Sequence, residues 1–312
     1  MKNNQVVVYG EIAIDNIIKV PHPLDREKDA MVIEDDYLIG GYASNVSALL
    51  AVWEIPVRIS GYVLGDDAHG HLMLKLLEKY PLIDVSFVEI KQGINTALCR
   101  IIVPPNGDRY IMAFNFFERC ANPTPLTKEI IGDATHIVFD SLARKEAFLP
   151  AVKLAHASGL CIIGSDVNTL DNQIVPYANV ICNSAGLLKN KDGITDPLPF
   201  IKKLHQENNA IVITTNGPRA VHVIDNDGEE FWVHPLVITD ELVVDTTGAG
   251  DSLKSGVAYG LLRGWALEKA VRFGVMVSSF IIQDFGAITR EPRVDEVMAL
   301  IDQVRVSKNA PL

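Results

Sequence analysis

Seven consecutive residues, Asp245-Thr246-Thr247-Gly248-Ala249-Gly250-Asp251, run directly into a helical pattern. Gly248 and Gly250 permit unusual backbone angles and remove side-chain bulk. Peptide N–H groups can then converge at the start of the helix, where the dipole favours an anion. Asp251 falls in the first turn, beside that anion. A carboxylate is a poor phosphate ligand but a good proton acceptor. The combination suits an attacking hydroxyl and a phosphoryl group that meet at one point. A bare Gly-x-Gly would read as a turn with an acid at a helix start; the whole heptad is far more selective.

Two commoner nucleotide loops do not fit. A P-loop needs G-x-x-x-x-G-K-[S/T], and that string does not occur. A dinucleotide fingerprint needs a third glycine where Leu253 stands. The chain has 312 residues with Lys+Arg 28 against Asp+Glu 39, a net charge of -11. That balance argues against a broad nucleic-acid or anionic-membrane surface. No cysteine pair among Cys99, Cys120, Cys161 and Cys182 has C-x-x-C spacing. The apolar start Val6-Val7-Val8 is cut short by Glu11 and Asp15, and the longest apolar tract falls short of the ~18 residues of a membrane span. These features predict a soluble cytoplasmic protein with reduced thiols.

The elements that must carry the heptad alternate. Strands are expected at Val6–Tyr9, Val57–Val63, His136–Phe139, Cys161–Ser165, up to Cys182, and at Ala210–Thr214. Helices are expected at Ala43–Trp53, Ala68–Tyr80, Lys145–Ala157, Phe200–Glu207, Ser252–Arg263, Ala266–Asp284 and Val294–Val304. Strands separated by helices imply a mostly parallel sheet covered on both faces. Two stretches break the alternation. Thr96–Val103 and Arg109–Phe114 flank an Asn-Gly turn and read as a hairpin, with which Ile12–Val20 and Met31–Ile39 can pair. A second hairpin is expected around Asn226-Asp227-Gly228.

The heptad resembles the C-terminal signature of the ribokinase (PfkB-type) carbohydrate and nucleoside kinases. Gly40-Gly41-Tyr42-Ala43-Ser44-Asn45 resembles that family's Gly-Gly-x-x-x-Asn motif. Gly10 with Asp15, Gly61 with Gly65-Asp66, Asp166 with Asn168, Asn183, Thr215-Asn216-Gly217 and Gly286 resemble further family positions in the right order. The similarity runs from Val6 to about Pro292.

The resemblance implies an α/β fold, a three-layer α/β/α sandwich with a mostly parallel central sheet and a small β-sheet lid. It implies one domain over 1–312, with the lid built from about 11–20, 31–39 and 94–116. The implied activity is transfer of the ATP γ-phosphoryl group to a hydroxyl of a sugar or ribonucleoside. Asp251 would be the base, and Gly248, Ala249 and Gly250 the anion cradle. Asp15, Gly40, Gly41 and Asn45 would hold the acceptor. Asn183, Thr215, Gly217, Thr247 and Gly286 would hold the nucleotide. Mg²⁺ would accompany ATP, and K⁺ is an optional cation near Asp245 and Thr247. Two copies would pair through the lid, whose edge invites it. The chain departs from the pattern at Gly186, where the family carries Glu in Asn-x-x-Glu, and at Leu253, where it carries an aromatic. The first departure keeps open a member that binds sugar or nucleotide in a regulatory role without turnover. In the lid, Arg100 and Arg109 are the only nearby candidates for gripping a substrate phosphate.

Overall fold

The structure is a computed structural model, which describes residues 5–105, 110–116, 123–140, 145–167, 174–192 and 194–309. Arg109, Cys120 and Asn168 lie outside them. In chain order the strands are β1 (Val6–Gly10), β2 (Ala13–Lys19), β3 (Glu34–Gly40), β4 (Val57–Gly61), β5 (Leu64–Gly65), β6 (Ile83–Asp84), β7 (Ile90–Lys91), β8 (Leu98–Val103), β9 (Tyr110–Phe114), β10 (His136–Asp140), β11 (Cys161–Ser165), β12 (Val180–Ser184), β13 (Ile211–Asn216), β14 (Arg219–Ile224), β15 (Glu230–His234) and β16 (Arg305–Ser307). The helices are α1 (Tyr42–Val52), α2 (Ala68–Leu77), α3 (Lys128–Ile131), α4 (Lys145–Ala157), α5 (Ala185–Asp192), α6 (Leu198–Asn208), α7 (Ala249–Leu262), α8 (Leu267–Ile281) and α9 (Val294–Leu300).

The main sheet runs in the order β16-β15-β14-β13-β12-β11-β10-β1-β4-β6. From β6 to β13 every pair is parallel; β14, β15 and β16 close one edge antiparallel. β1 is three valines, a tyrosine and a glycine, all buried, as a strand covered on both faces requires. The fold is the three-layer α/β/α sandwich with a mostly parallel sheet. Because the strands are parallel, Gly10, Asp140, Ser165, Ser184 and Asn216 all finish at one edge, where ligands of open α/β sheets gather.

Three helices fix that edge. α1 is buried from Tyr42 to Ala51 and packs on β1, β4 and α7. A helix apolar on nearly all sides belongs in an interior. α7 lies tightly along α8: an added Cβ at Gly256 would come within 2.5 Å of the Gly274 backbone. Small residues at that crossing let the two helices touch, which immobilises the first turn of α7.

The second sheet is β3-β2-β8-β9. In its register Asp15 faces Leu38 on β3 and Cys99 on β8. Side chains alternate across a strand, so Asp15, Ile17, Leu38, Cys99 and Ile101 share one face. Asn16, Tyr37, Arg100 and Met112 share the other. Ile17, Ile101 and Val103 form a small apolar cluster with Leu38, Cys99 and Phe285.

Most expected elements appear within a few residues, with four differences. The strand expected over Met31–Ile39 begins at Glu34, because its partner β2 ends at Lys19 and leaves nothing to pair with Met31 and Val32. The expected Val57–Val63 strand divides into β4 and β5, separated by Tyr62 and Val63. The last expected helix, Val294–Val304, tightens into a 3₁₀ turn at Ile301–Gln303. α3, α5, β6, β7 and β16 have no counterpart among the expected elements; they are short and have little periodicity to read.

Candidate active site

The two strongest motifs meet directly. Asn45 Nδ2 donates to Asp251 Oδ2 at 3.0 Å, joining the first turn of α1 to the first turn of α7. Each helix starts at a glycine with a left-handed or otherwise positive φ: Gly41 at 82° and Gly248 at 75°. An L side chain is disfavoured at both angles. Space forbids it as well. A Cβ at Gly248 would approach the Ala287 backbone to 2.6 Å, and one at Gly40 would collide with the Asp15 carboxylate.

The amides at the start of α7 divide unevenly. Ala249 N–H already donates to Thr246 O at 3.3 Å, and Ser252 N–H donates to Gly248 O at 2.8 Å. Ala249 is therefore a weaker member of the expected cradle than its position suggests, because its amide closes a turn. The N–H groups of Gly250 and Asp251 meet no acceptor among the described residues. A Cβ at Gly250 would point into open space. An anion can reach that point without meeting a side chain.

Asp15 on β2 is buried, 8 % exposed. Burial, then the charges of Asp251 and Asp245, push its carboxyl up to about 7. Burial also raises Asp251, while Lys254 and the Asn45 hydrogen bond pull it back down. A carboxylate whose proton affinity is raised by burial is suited to take a hydroxyl proton. Asn45 keeps its Oδ1 buried and without a partner. That oxygen can accept from a ligand hydroxyl.

Further along the same edge, Thr215 Oγ1 donates to Asn183 O at 3.3 Å, bringing the ends of β12 and β13 together. The Asn183 side-chain amide is buried with both polar atoms unpartnered. Gly217 follows in the exposed turn to β14. Gly286 N–H donates to Asp245 Oδ2 at 3.0 Å, and Asp245 Oδ1 accepts from Thr247 N–H and Oγ–H at 2.8 and 2.7 Å. Thr247, Asp245 and Gly286 are thus one hydrogen-bonded unit beside α7. Gly186 is exposed in the first turn of α5, which carries no acid there.

Sequence reading missed one member. Lys254 is 4 % exposed, and its Nζ lies 2.6 Å from Asp166 Oδ2. Burial alone would lower this lysine, but Asp166 and Asp251 outweigh it and hold it above its ordinary value. The signal was present: a lysine three places after Asp251 in an otherwise small and apolar helix start. Other residues fall outside the site. His71 pairs with Asp66 at 2.9 Å, and His69 rests against Tyr37. Phe114 is exposed beside Arg100, and Phe116 packs on the main core.

The pfkB family carbohydrate kinase model matches residues 3–293, and the chain belongs to that family. A 5-dehydro-2-deoxygluconokinase of Listeria monocytogenes is 22% identical, with 96% of each chain covered. Among solved structures, Arabidopsis thaliana ribokinase complexed with ribose and ATP superposes with a TM-score of 0.78 at 20% identity, covering 96% of this chain and 99% of that one. A Burkholderia thailandensis nucleoside kinase in complex with inosine gives 0.74 at 19% identity, covering 96% of each. This chain is a carbohydrate kinase of that family. No helix among the described residues is long and apolar enough to cross a membrane.

Proposed function

We propose that this protein transfers the γ-phosphoryl group of ATP to a hydroxyl of a neutral, ribose-containing compound, either free sugar or ribonucleoside. The observation that carries it is the 3.0 Å contact of Asn45 with Asp251 beside the open amides of Gly250 and Asp251. Asp15, Asn45 and the Gly40-Gly41 turn take the acceptor. Asp251 removes its hydroxyl proton as the acceptor oxygen bonds to the γ-phosphorus. The bond from that phosphorus to the β–γ bridging oxygen breaks, and ADP leaves with the electron pair. The amides of Gly248, Gly250 and Asp251 bear on the charge of the transferred group.

Asn183, Thr215, Gly217, Thr247 and Gly286 are assigned to the nucleotide. Among the described residues no cluster of three His, Cys, Asp or Glu side chains has the arrangement of a metal site. Mg²⁺ is therefore assigned to the nucleotide phosphates and water rather than to a protein cage. K⁺ is kept as an optional cation beside the Asp245 carboxylate, whose oxygens also accept from Gly286 N–H and from Thr247 N–H and Oγ–H.

The described residues of the second sheet support a neutral acceptor. The face that carries Asp15 is lined by Ile17, Leu38, Cys99 and Ile101. Its one described cation, Lys19, pairs with Glu34 at the far end. Arg100 points from the opposite face. We take this sheet as a lid over the acceptor, and its exposed edge β9 as a pairing surface for a second copy. Cys99, Cys161 and Cys182 are free thiols, which suits a reducing compartment such as the cytoplasm.

The test is Mg-ATP with a panel of ribonucleosides, pentoses, hexoses, sugar acids and phosphosugars, with ADP release and phosphorus NMR as readouts. Turnover is expected with neutral ribose-containing acceptors and little with anionic ones. Binding without ADP release from any acceptor would overturn the reading in favour of a regulatory binder, which Gly186 motivates.

A further inference from the structure

Lys254 is assigned to neither acceptor nor nucleotide, yet it is buried, three places after Asp251 and paired with Asp166. We propose that Lys254 is a positioning residue: anchored on Asp166, its ammonium holds Asp251 in the ionised form that accepts the proton. The inference rests on the reading of Asp251 as the base.

Lys254 lies one helical turn after Asp251, and residues three apart share a face. Its Nζ is 2.6 Å from Asp166 Oδ2 and 5.2 Å from the centre of the Tyr42 ring. An ammonium removed from water is costly unless partnered, so a lysine here needs compensation. Asp166 provides it under constraint. Its φ is 53°, in the left-handed region that a non-glycine residue seldom occupies. Its N–H donates to Cys182 O at 2.8 Å, and its Oδ2 also accepts from Ser165 Oγ at 3.0 Å. Its Oδ1 is buried without a partner among the described residues. A backbone held in an uncommon state to aim a carboxylate at one buried lysine points to a role beyond packing.

The charges around Asp251 show what that role is. Asn45 and the Tyr42 phenol face it from α1, Asp15 from β2 and Asp166 from the end of β11; the Cys182 thiol on β12 lies beside Lys254 and Asp166, and Asp245, before α7, acts on Asp15. Lys254 is the one cation in this set among the described residues. Asp166 opposes ionisation of Asp251, and Lys254 favours it. Removing the ammonium leaves the carboxylate among like charges.

The test is a carbon-13 NMR titration of protein labelled at the aspartate carboxyl carbons, with Asp251 assigned by its loss in Asp251→Asn. Wild type, Asp166→Asn, Asp166→Asn/Lys254→Met and Lys254→Arg are compared. Asp166 is neutral in both of the first two variants, so their difference isolates the ammonium. The Asp251 midpoint is expected about one pH unit or more higher in the double variant than in Asp166→Asn. Lys254→Arg is expected to stay close to wild type. Equal midpoints in the single and double variants would overturn the proposal, leaving Lys254 as a neutraliser of Asp166 alone. Should the double variant not fold, Lys254→Gln decides: its Asp251 midpoint must rise above wild type, and a fall or no change counts against the proposal. In kinetics, the acid limb of kcat/KM should move with the NMR midpoint. The titration needs no turnover, so an inactive acceptor panel would strike the kinase reading without touching this result.

Discussion

The backbone N–H of Gly286 donates to Oδ2 of Asp245 across 41 positions of chain. The other carboxylate oxygen holds Thr247 by its N–H and its hydroxyl. Gly286 sits against Leu38 and Ile17, so this one side chain ties the loop before α7 to the second sheet. Asp245→Ala takes the acceptor away from three donors. Stability should fall by about 1–3 kcal/mol, the scale of leaving buried donors unpaired. The urea midpoint measures that loss. Kinase rate in K⁺ against Na⁺ measures the second consequence, which is loss of any K⁺ preference. Unchanged stability would mean that water replaces the carboxylate.

Asp251→Asn preserves shape and can still accept from Asn45, but it cannot take a proton. Turnover is expected to fall ~10²-fold or more while ATP binding and the thermal transition stay near wild type. Calorimetry of nucleotide binding beside single-turnover kinetics separates the two. Turnover within a few-fold of wild type would remove Asp251 from the chemistry.

How far the sequence went depends on range. The buried strands β1 and β11 announce themselves by apolar runs, and the hairpins by their Asn-Gly and Asp-Gly turns. The motifs around Asn45 and Asp251 were legible as types at a helix start. Their contact was not, because nothing local in either segment encodes a partner 206 positions away. The resemblance, rather than periodicity, joined them. Lys254 escaped because a lysine is ordinarily exposed and its partner Asp166 lies 88 positions distant. The spent amide of Ala249 depends on how the turn from Thr246 closes, a detail below the reach of residue type.

Asp15 makes the site sensitive to pH near neutrality. Its folded pKa of about 7 lies above the ordinary 3.8. The native chain thus keeps a proton that the unfolded chain gives up at lower pH. The stabilising contribution is full below about pH 4 and is lost as pH rises through 7. Asp15→Asn removes the dependence. Relative to wild type it should gain on the order of 2–4 kcal/mol between pH 4 and 8, measured by urea unfolding across that range. In the wild type the acceptor KM should rise as pH falls below 7, since a carboxylate accepts two hydroxyls and the acid does not. A flat KM from pH 5.5 to 8 would contradict this role.

The edge of the second sheet offers a test of assembly. All five residues of β9 are exposed, and Tyr110, Met112 and Phe114 share its outer face with Arg100. Pairing of two such edges would satisfy the free backbone groups and cover the apolar side chains. Light scattering should give a dimer for the wild type. Met112→Lys should shift it towards monomer and weaken acceptor binding several-fold. A monomeric wild type at tens of micromolar would end this proposal.

Gly186 invites the reverse experiment, an addition. The resemblance to the family places Glu at this point, and the local structure leaves room for it: a Cβ here would meet only Ser184 Oγ, at 3.6 Å. The position is exposed in the first turn of α5, where a carboxylate favours the helix dipole and a side chain replaces the entropy cost of glycine. Gly186→Glu should therefore raise stability by about 1 kcal/mol. If the missing carboxylate limits the metal-water network around the nucleotide, the variant should also reach half-maximal rate at several-fold lower free Mg²⁺. A gain in stability with no change in the Mg²⁺ curve would show that this chain arranges its nucleotide without that acid.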